Sequence, residues 1–305
     1  MDIIRPVTVD NTILVSSNVT EDDYAEWASG TTYSTGDRVI VIGTTHKVYE
    51  SLIDSNTGND PTTDDGSNWL ELGATNRWKA FDQKISDQVE NTTSIEYTLN
   101  DTSSYITSLV MFGLEGTSAN VTVTDNTVGG DGEVYNETVS LVDNRDVDDW
   151  YSYFFEEIIY NREAQFLNIP PYLDANLDVT ISGDTGATVK VGQIVFGFLV
   201  DLGLTTYGTN ISIEDFSRKE TDAFGNFIIV ERPFSKLADY DVKFPTGTAR
   251  KVQETLAQYR ATPIVYIGSE DVAYGTTVYG FYRRFDLTLE TPSYSLAAIE
   301  VEGLT

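Results

Sequence analysis

His46 is the only imidazole in the 305 residues. A Ser-His-Asp triad would have to use it, yet the Gly-x-Ser-x-Gly turn that presents such a serine is absent. His46 follows Gly43-Thr44-Thr45, an apparent turn, which predicts a solvated loop side chain. The chain has no cysteine, so thiol nucleophiles, disulfides and zinc-cysteine sites are excluded. No Walker loop, helix-opening Gly-x-Gly-x-x-Gly or kinase signature occurs. Carboxylates are plentiful, with adjacent pairs at Asp64-Asp65, Asp148-Asp149 and Glu156-Glu157. Two carboxylates can drive glycoside hydrolysis, one as acid and one as nucleophile or base. Adjacency does not build such a pair, because neighbours on a strand point to opposite faces. Asp54, Asn56, Gly58 and Asp60 space their oxygens as a calcium loop would, but Asn59 stands where an EF-hand needs glycine. A polar turn is the other reading of that segment. No cofactor is expected, calcium being the one candidate, and the expectation is a protein that is not an enzyme.

Charge narrows the partners. With 19 Lys+Arg against 48 Asp+Glu the net charge is −29. Phosphate backbones and anionic membranes repel such a surface, so nucleic acid is not an expected partner. No run of about 18 apolar residues is present, so no membrane insertion is expected. Met1-Asp2-Ile3-Ile4-Arg5-Pro6 lacks a basic stretch leading into an apolar one, which predicts synthesis and folding in the cytoplasm.

The elements that must position these groups read as β. Alternating runs occur at Arg38 to Ile42, Ser94 to Leu99, Asn120 to Thr124 and Leu177 to Ile181, and Gly129-Gly130-Asp131-Gly132 reads as a hairpin turn. One helix is expected from Thr248 to Arg260, where Ala249, Val252, Leu256 and Tyr259 fall at helical spacing. Thr248 can cap it and Thr262-Pro263 can close it. Asp22 to Trp27 is expected to add a short helical turn. Boundaries near Gly73-Ala74 and Thr205 to Asn210 divide the chain into an N-terminal arm (1–19) and modules 20–73, 74–205 and 206–305.

Residues 25–72 carry Trp27, Tyr33, Gly36-Asp37, Val39, Gly43, Tyr49, Asp60-Pro61 and Trp69 in order. This pattern resembles the small carbohydrate-binding modules associated with chitinases, and implies a compact short-stranded β module. The resemblance implies sugar contact through Tyr49 and Trp69. Where chitin-binding members carry further aromatics, this chain has Glu50-Ser51-Leu52-Ile53-Asp54. The other reading makes these rings a core and the module a docking unit. Asn76-Arg77-Trp78, Phe81-Asp82 and the block Trp150 to Phe155 resemble β-sandwich regions beside such modules in phage tail proteins. That block reads as core, subunit interface or binding platform.

Arg232-Pro233-Phe234, Thr262 to Gly268, Tyr279 to Phe285 and Ile299 to Leu304 are similar to the C-terminal region of phage virion proteins. The resemblances imply a mainly β chain: a carbohydrate-binding-like module, a central β-sandwich and a C-terminal β-rich assembly domain with one helix. They imply a structural component of a bacteriophage tail, located in the virion near its adsorption end. Expected partners are other tail or neck proteins, further copies in a symmetric ring, and host-surface glycan. A collar or adaptor that anchors fibres is the alternative, and a glycan depolymerase a further one. Arg283 and Arg284, among few basic residues, are the candidate interface pair; the other reading has them balancing carboxylates of their own chain.

Overall fold

The computed structural model describes residues 1–127, 129–143, 149–155, 159–221, 225 and 227–304. Half of the chain is strand and 9% helix, so the architecture is mainly β, as expected.

One ten-stranded antiparallel sheet organises the molecule. Its strands run in the order Glu163–Phe166, Ser108–Phe112, Gln193–Asp201, Asp2–Pro6, Ile264–Ile267, Thr277–Thr288, Tyr294–Gly303, Phe234–Pro245 and Leu204–Thr205, with Asn210–Asp215 also paired to Phe234–Pro245. The first strand therefore lies in the middle of the sheet, between strands nearly two hundred and more residues away. The segment expected as an arm is thus built into the sheet. The sheet also runs through 205–206, so the second and third modules share a backbone hydrogen-bond network.

A second sheet of five strands, in the order Glu133–Ser140, Ser118–Asp125, Ala175–Ser182, Ser94–Leu99 and Leu14–Ser17, faces the first. The expected sandwich is the packing of these two layers. Ile95, Tyr97, Leu99, Val121 and Val179 from one layer meet Leu109, Met111, Phe166 and Phe196 from the other. Because strand side chains alternate, Val110 and Phe112 point away from that core and join Ile4, Val195 and Val265. Ser108–Phe112 is accordingly buried at every position. The turn at Gly129 and Gly132 uses positive φ values of 79° and 75°, which glycine adopts without strain.

The helix Ala249–Gln258 follows a short 3-10 turn at Thr246–Thr248. Its Val252 and Leu256 pack against Met1, Ile3, Tyr240 and Phe244. The Thr248 hydroxyl donates back to the Pro245 carbonyl at 2.8 Å and gives the helix no side-chain cap. Asp22 to Trp27 forms no helix; Glu26 bridges Ile40 instead. A second helix, Trp150–Phe155, was not expected. Six residues, five of them aromatic, lack the length for a visible helical period.

Residues 32–74 form the small module: the sheet Arg38–Val41, Lys47–Ser51 and Trp69–Ala74, with the pair Thr32–Tyr33 and Asn56–Thr57 beside it.

Candidate functional site

The two rings chosen for sugar stacking lie in the small module's core. Tyr49 is 8% exposed and Trp69 2%, and with Tyr33 and Val39 they form its apolar centre. The Trp69 indole N–H donates to the Asn59 carbonyl at 3.0 Å, and its ring meets Tyr33 edge-on at 5.2 Å. The Tyr49 hydroxyl donates to Glu71 at 3.3 Å; burial, with the Glu71 charge, pushes its pKa up. Neither ring offers a face to a sugar in this arrangement. A module of this size cannot build its core from aliphatics alone, so its large aromatics are drawn inward.

The acidic segments of the module are turns. Asp54 accepts from the Thr35 N–H at 3.0 Å and Asp60 from the Thr62 N–H at 2.9 Å. Asn56 is buried and donates to Ser51, and Asn59 donates to the Asn56 oxygen. Asp64 accepts from the N–H groups of Gly66, Asn68 and Trp69, at 2.9, 3.0 and 3.0 Å. These oxygens face separate partners of the same chain. Among the described residues no three His, Cys, Asp or Glu side chains gather as a metal site would need. Asp148, Glu156 and Glu157 lie outside the described residues.

His46 is not a solvated loop residue. It is 7% exposed, its Nδ1 lies 2.7 Å from Glu21, and its ring lies against Trp78 at 4.9 Å. Glu21 also accepts from the Thr75 hydroxyl at 2.6 Å and sits 3.5 Å from the Arg77 guanidinium. Arg77 reaches the Val19 carbonyl at 2.8 Å. This polar cluster, with Trp78 buried in the 3-10 helix Asn76–Phe81, closes the seam between the small module and the sandwich. The turn residues around His46 concealed this, because its partners are about 25 residues or more away.

Arg283 and Arg284 are committed within their own chain. Arg283 pairs with Glu302 at 2.6 Å and Arg284 with Asp286 at 2.7 Å. Such exposed pairs contribute at most about 1 kcal/mol.

The exposed apolar surface lies elsewhere. The hairpin of Arg218–Thr221 and Phe227–Val230 is exposed at every position. Trp150, Tyr151, Phe154 and Phe155 stand in water on their short helix, Trp150 stacked on Phe154 and Tyr151 tilted against Phe155. The block is therefore not core. The chain that follows the hairpin, from Glu231 to Lys236, borders a groove of about 880 Å³. Tyr160, Arg162 and Glu163 line it from one side, and Glu231, Arg232, Phe234 and Lys236 from the other. Burial raises the Glu163 carboxyl against the pull of Lys236, whose Nζ is 3.9 Å away. Lys236 also donates to the Thr277 carbonyl at 2.8 Å. The groove thus sets three cations, Arg162, Arg232 and Lys236, against two carboxylates, Glu163 and Glu231, in a chain whose net charge is −29.

Asp82 carries the clearest pH signature. Burial lifts its carboxyl to about 6; the Lys84 N–H at 2.9 Å pulls it down and Asp87 pushes it up. The folded state then binds this proton more tightly than the unfolded chain, so this group's contribution falls as pH rises from about 4 to about 6. Because the carboxyl is partly solvated, Asp82→Asn is expected to stabilise at pH 7 by only about 1 kcal/mol, or about 2 °C. The advantage should vanish near pH 4. Melting curves of both proteins at the two pH values check this; an equal difference at both removes the explanation.

Comparisons with protein-family models, with curated proteins and with solved structures give no match to this chain.

Proposed function

We propose that this chain is a non-enzymatic structural subunit of a bacteriophage tail, assembled with other virion proteins near the adsorption end. One observation carries the assembly role: four consecutive apolar residues, Phe227 to Val230, stand in water on a projecting hairpin. Large exposed apolar patches mark interaction surfaces, and the helix Trp150–Phe155 exposes a second one. The only imidazole is held by Glu21 and Trp78 in an internal seam, which suits a packing role and not proton transfer to a substrate. The assignment to a tail rests on the sequence resemblances. Glycan contact, if the chain makes it, falls outside Tyr49 and Trp69, whose rings fill the core.

The test is location. Particles released from cells that carry the gene are purified and imaged, with the chain marked by a bound antibody. A fixed copy number at the tail is the expected result. A chain confined to the soluble fraction and missing from every particle would overturn the reading.

A further inference from the structure

The hairpin makes a two-stranded sheet of its own, Arg218 opposite Val230 and Thr221 opposite Phe227. Phe227, Ile228, Ile229 and Val230 are 61%, 60%, 67% and 39% exposed. Successive strand residues point to opposite faces. Phe227 and Ile229 therefore open on one side, Ile228 and Val230 on the other, and neither side is covered. A lone two-stranded ribbon is marginal in water. A flat partner would cover one face only. Covering both calls for a cleft, and both outer edges of the ribbon remain open to further strand pairing.

Charge selects the partner. From 215 to 236 the acids are Asp215, Glu220, Asp222 and Glu231, and the bases Arg218, Lys219, Arg232 and Lys236. Four against four leaves this segment neutral, so the other residues carry the whole −29. A basic partner would be drawn to that acidic remainder. A second copy is repelled by it, and meets least repulsion at a neutral, apolar arm. The same chain also offers a cleft of suitable character. The groove at the foot of the arm presents Tyr160 and Phe234 for apolar contact, and its Arg162, Arg232 and Lys236 outnumber its Glu163 and Glu231, a positive balance that an acidic copy does not repel.

We infer that the paired strands Arg218–Thr221 and Phe227–Val230 are an assembly arm that inserts into the groove of a second copy of this chain. An arm and a receiving groove on one subunit allow the contact to repeat from copy to copy, either reciprocally in a pair or around a ring. The inference rests on the structural-subunit reading and supplies its self-contact, in place of Arg283 and Arg284.

The full chain, at about 50 µM, well above the Kd of a micromolar interface, is measured by light scattering after size exclusion. An oligomer is expected. Phe227→Asp with Ile229→Asp should reduce it to monomer while the circular dichroism spectrum stays that of the folded chain, because within a single copy both side chains lie in water. Wild type running as a monomer, or a double variant with unchanged mass, overturns the inference. The receiving side is tested in the same chain, which has no cysteine of its own. Ile229→Cys and Tyr160→Cys proteins, mixed and treated with a flexible bis-maleimide, should give a cross-linked pair. Oligomers that never cross-link this way would overturn the arm-in-groove contact. A monomeric wild type that still enters particles at fixed copy number would end self-association and leave the subunit reading standing. An oligomer absent from all particles would do the reverse.

Discussion

Trp69→Ala is expected to unfold the small module, at a cost of about 3–5 kcal/mol. The indole is 2% exposed, meets Tyr33 edge-on, and spends its N–H on the Asn59 carbonyl. Truncation removes the largest side chain from a core whose buried members are only Tyr33, Val39, Tyr49 and Trp69. It also orphans the Asn59 carbonyl, and the few surrounding residues cannot collapse into the space. The strand Trp69–Ala74 pairs directly with Lys47–Ser51, so the damage should spread through the three-stranded sheet. Limited proteolysis between residues 30 and 70 and a separate early melting transition would report it. Leu70→Ala, at an exposed side chain of the same module, is the comparison and should stay within about 0.5 kcal/mol of wild type. A Trp69→Ala protein that melts like wild type would show that the ring is not the core residue described.

Gly280→Ala is expected to cost more than about 3 kcal/mol, beyond the usual range for overpacking, and to abolish cooperative unfolding. A Cβ on Gly280 would lie 1.9 Å from the Glu302 carbonyl oxygen and 2.8 Å from Gly303 Cα. Backbone, not a flexible side chain, is what it meets. Gly280 sits in Thr277–Thr288, opposite Ile264 on one side and Gly303 on the other, in the middle of the large sheet. Moving aside would break hydrogen bonds to both neighbours. Gly197 is constrained in the same way, its Cβ falling 1.8 Å from the Arg5 carbonyl oxygen. Gly247→Ala is the control: a Cβ there meets nothing within 4 Å, and the change should be nearly neutral. Urea unfolding of the three proteins decides it. Equal stability of Gly280→Ala and Gly247→Ala would mean that the strands do not approach as closely as described.

Local pattern made much of the architecture legible. Ser94–Leu99 forms as its alternation requires, and the runs at Asn120 to Thr124 and Leu177 to Ile181 lie within longer strands. The helical spacing of Val252 and Leu256 became a helix with those residues buried. These features depend on neighbours within a few residues, and so the order of residue types specifies them. Tyr33, Tyr49 and Trp69 fall together in one small apolar centre, but which face of each ring is free depends on what packs over it.

What required the tertiary structure involves long separations. Phe227 to Val230 are four apolar residues in a row, yet among the described residues no layer covers them. Arg283 looks unusual in an acidic chain until Glu302 of the neighbouring strand comes alongside. His46 looks solvated until Glu21 and Trp78 close over it. Composition and short-range periodicity were enough for the β character, the helix Ala249–Gln258, the net acidity and the exclusion of cysteine chemistry. The placement of Asp2–Pro6 at the centre of the large sheet, the shared sheet across 205–206, and the groove beside the arm were decided by pairing between distant strands. Backbone hydrogen bonds are the same for every residue type, so sequence pattern alone does not say which distant strand will supply them.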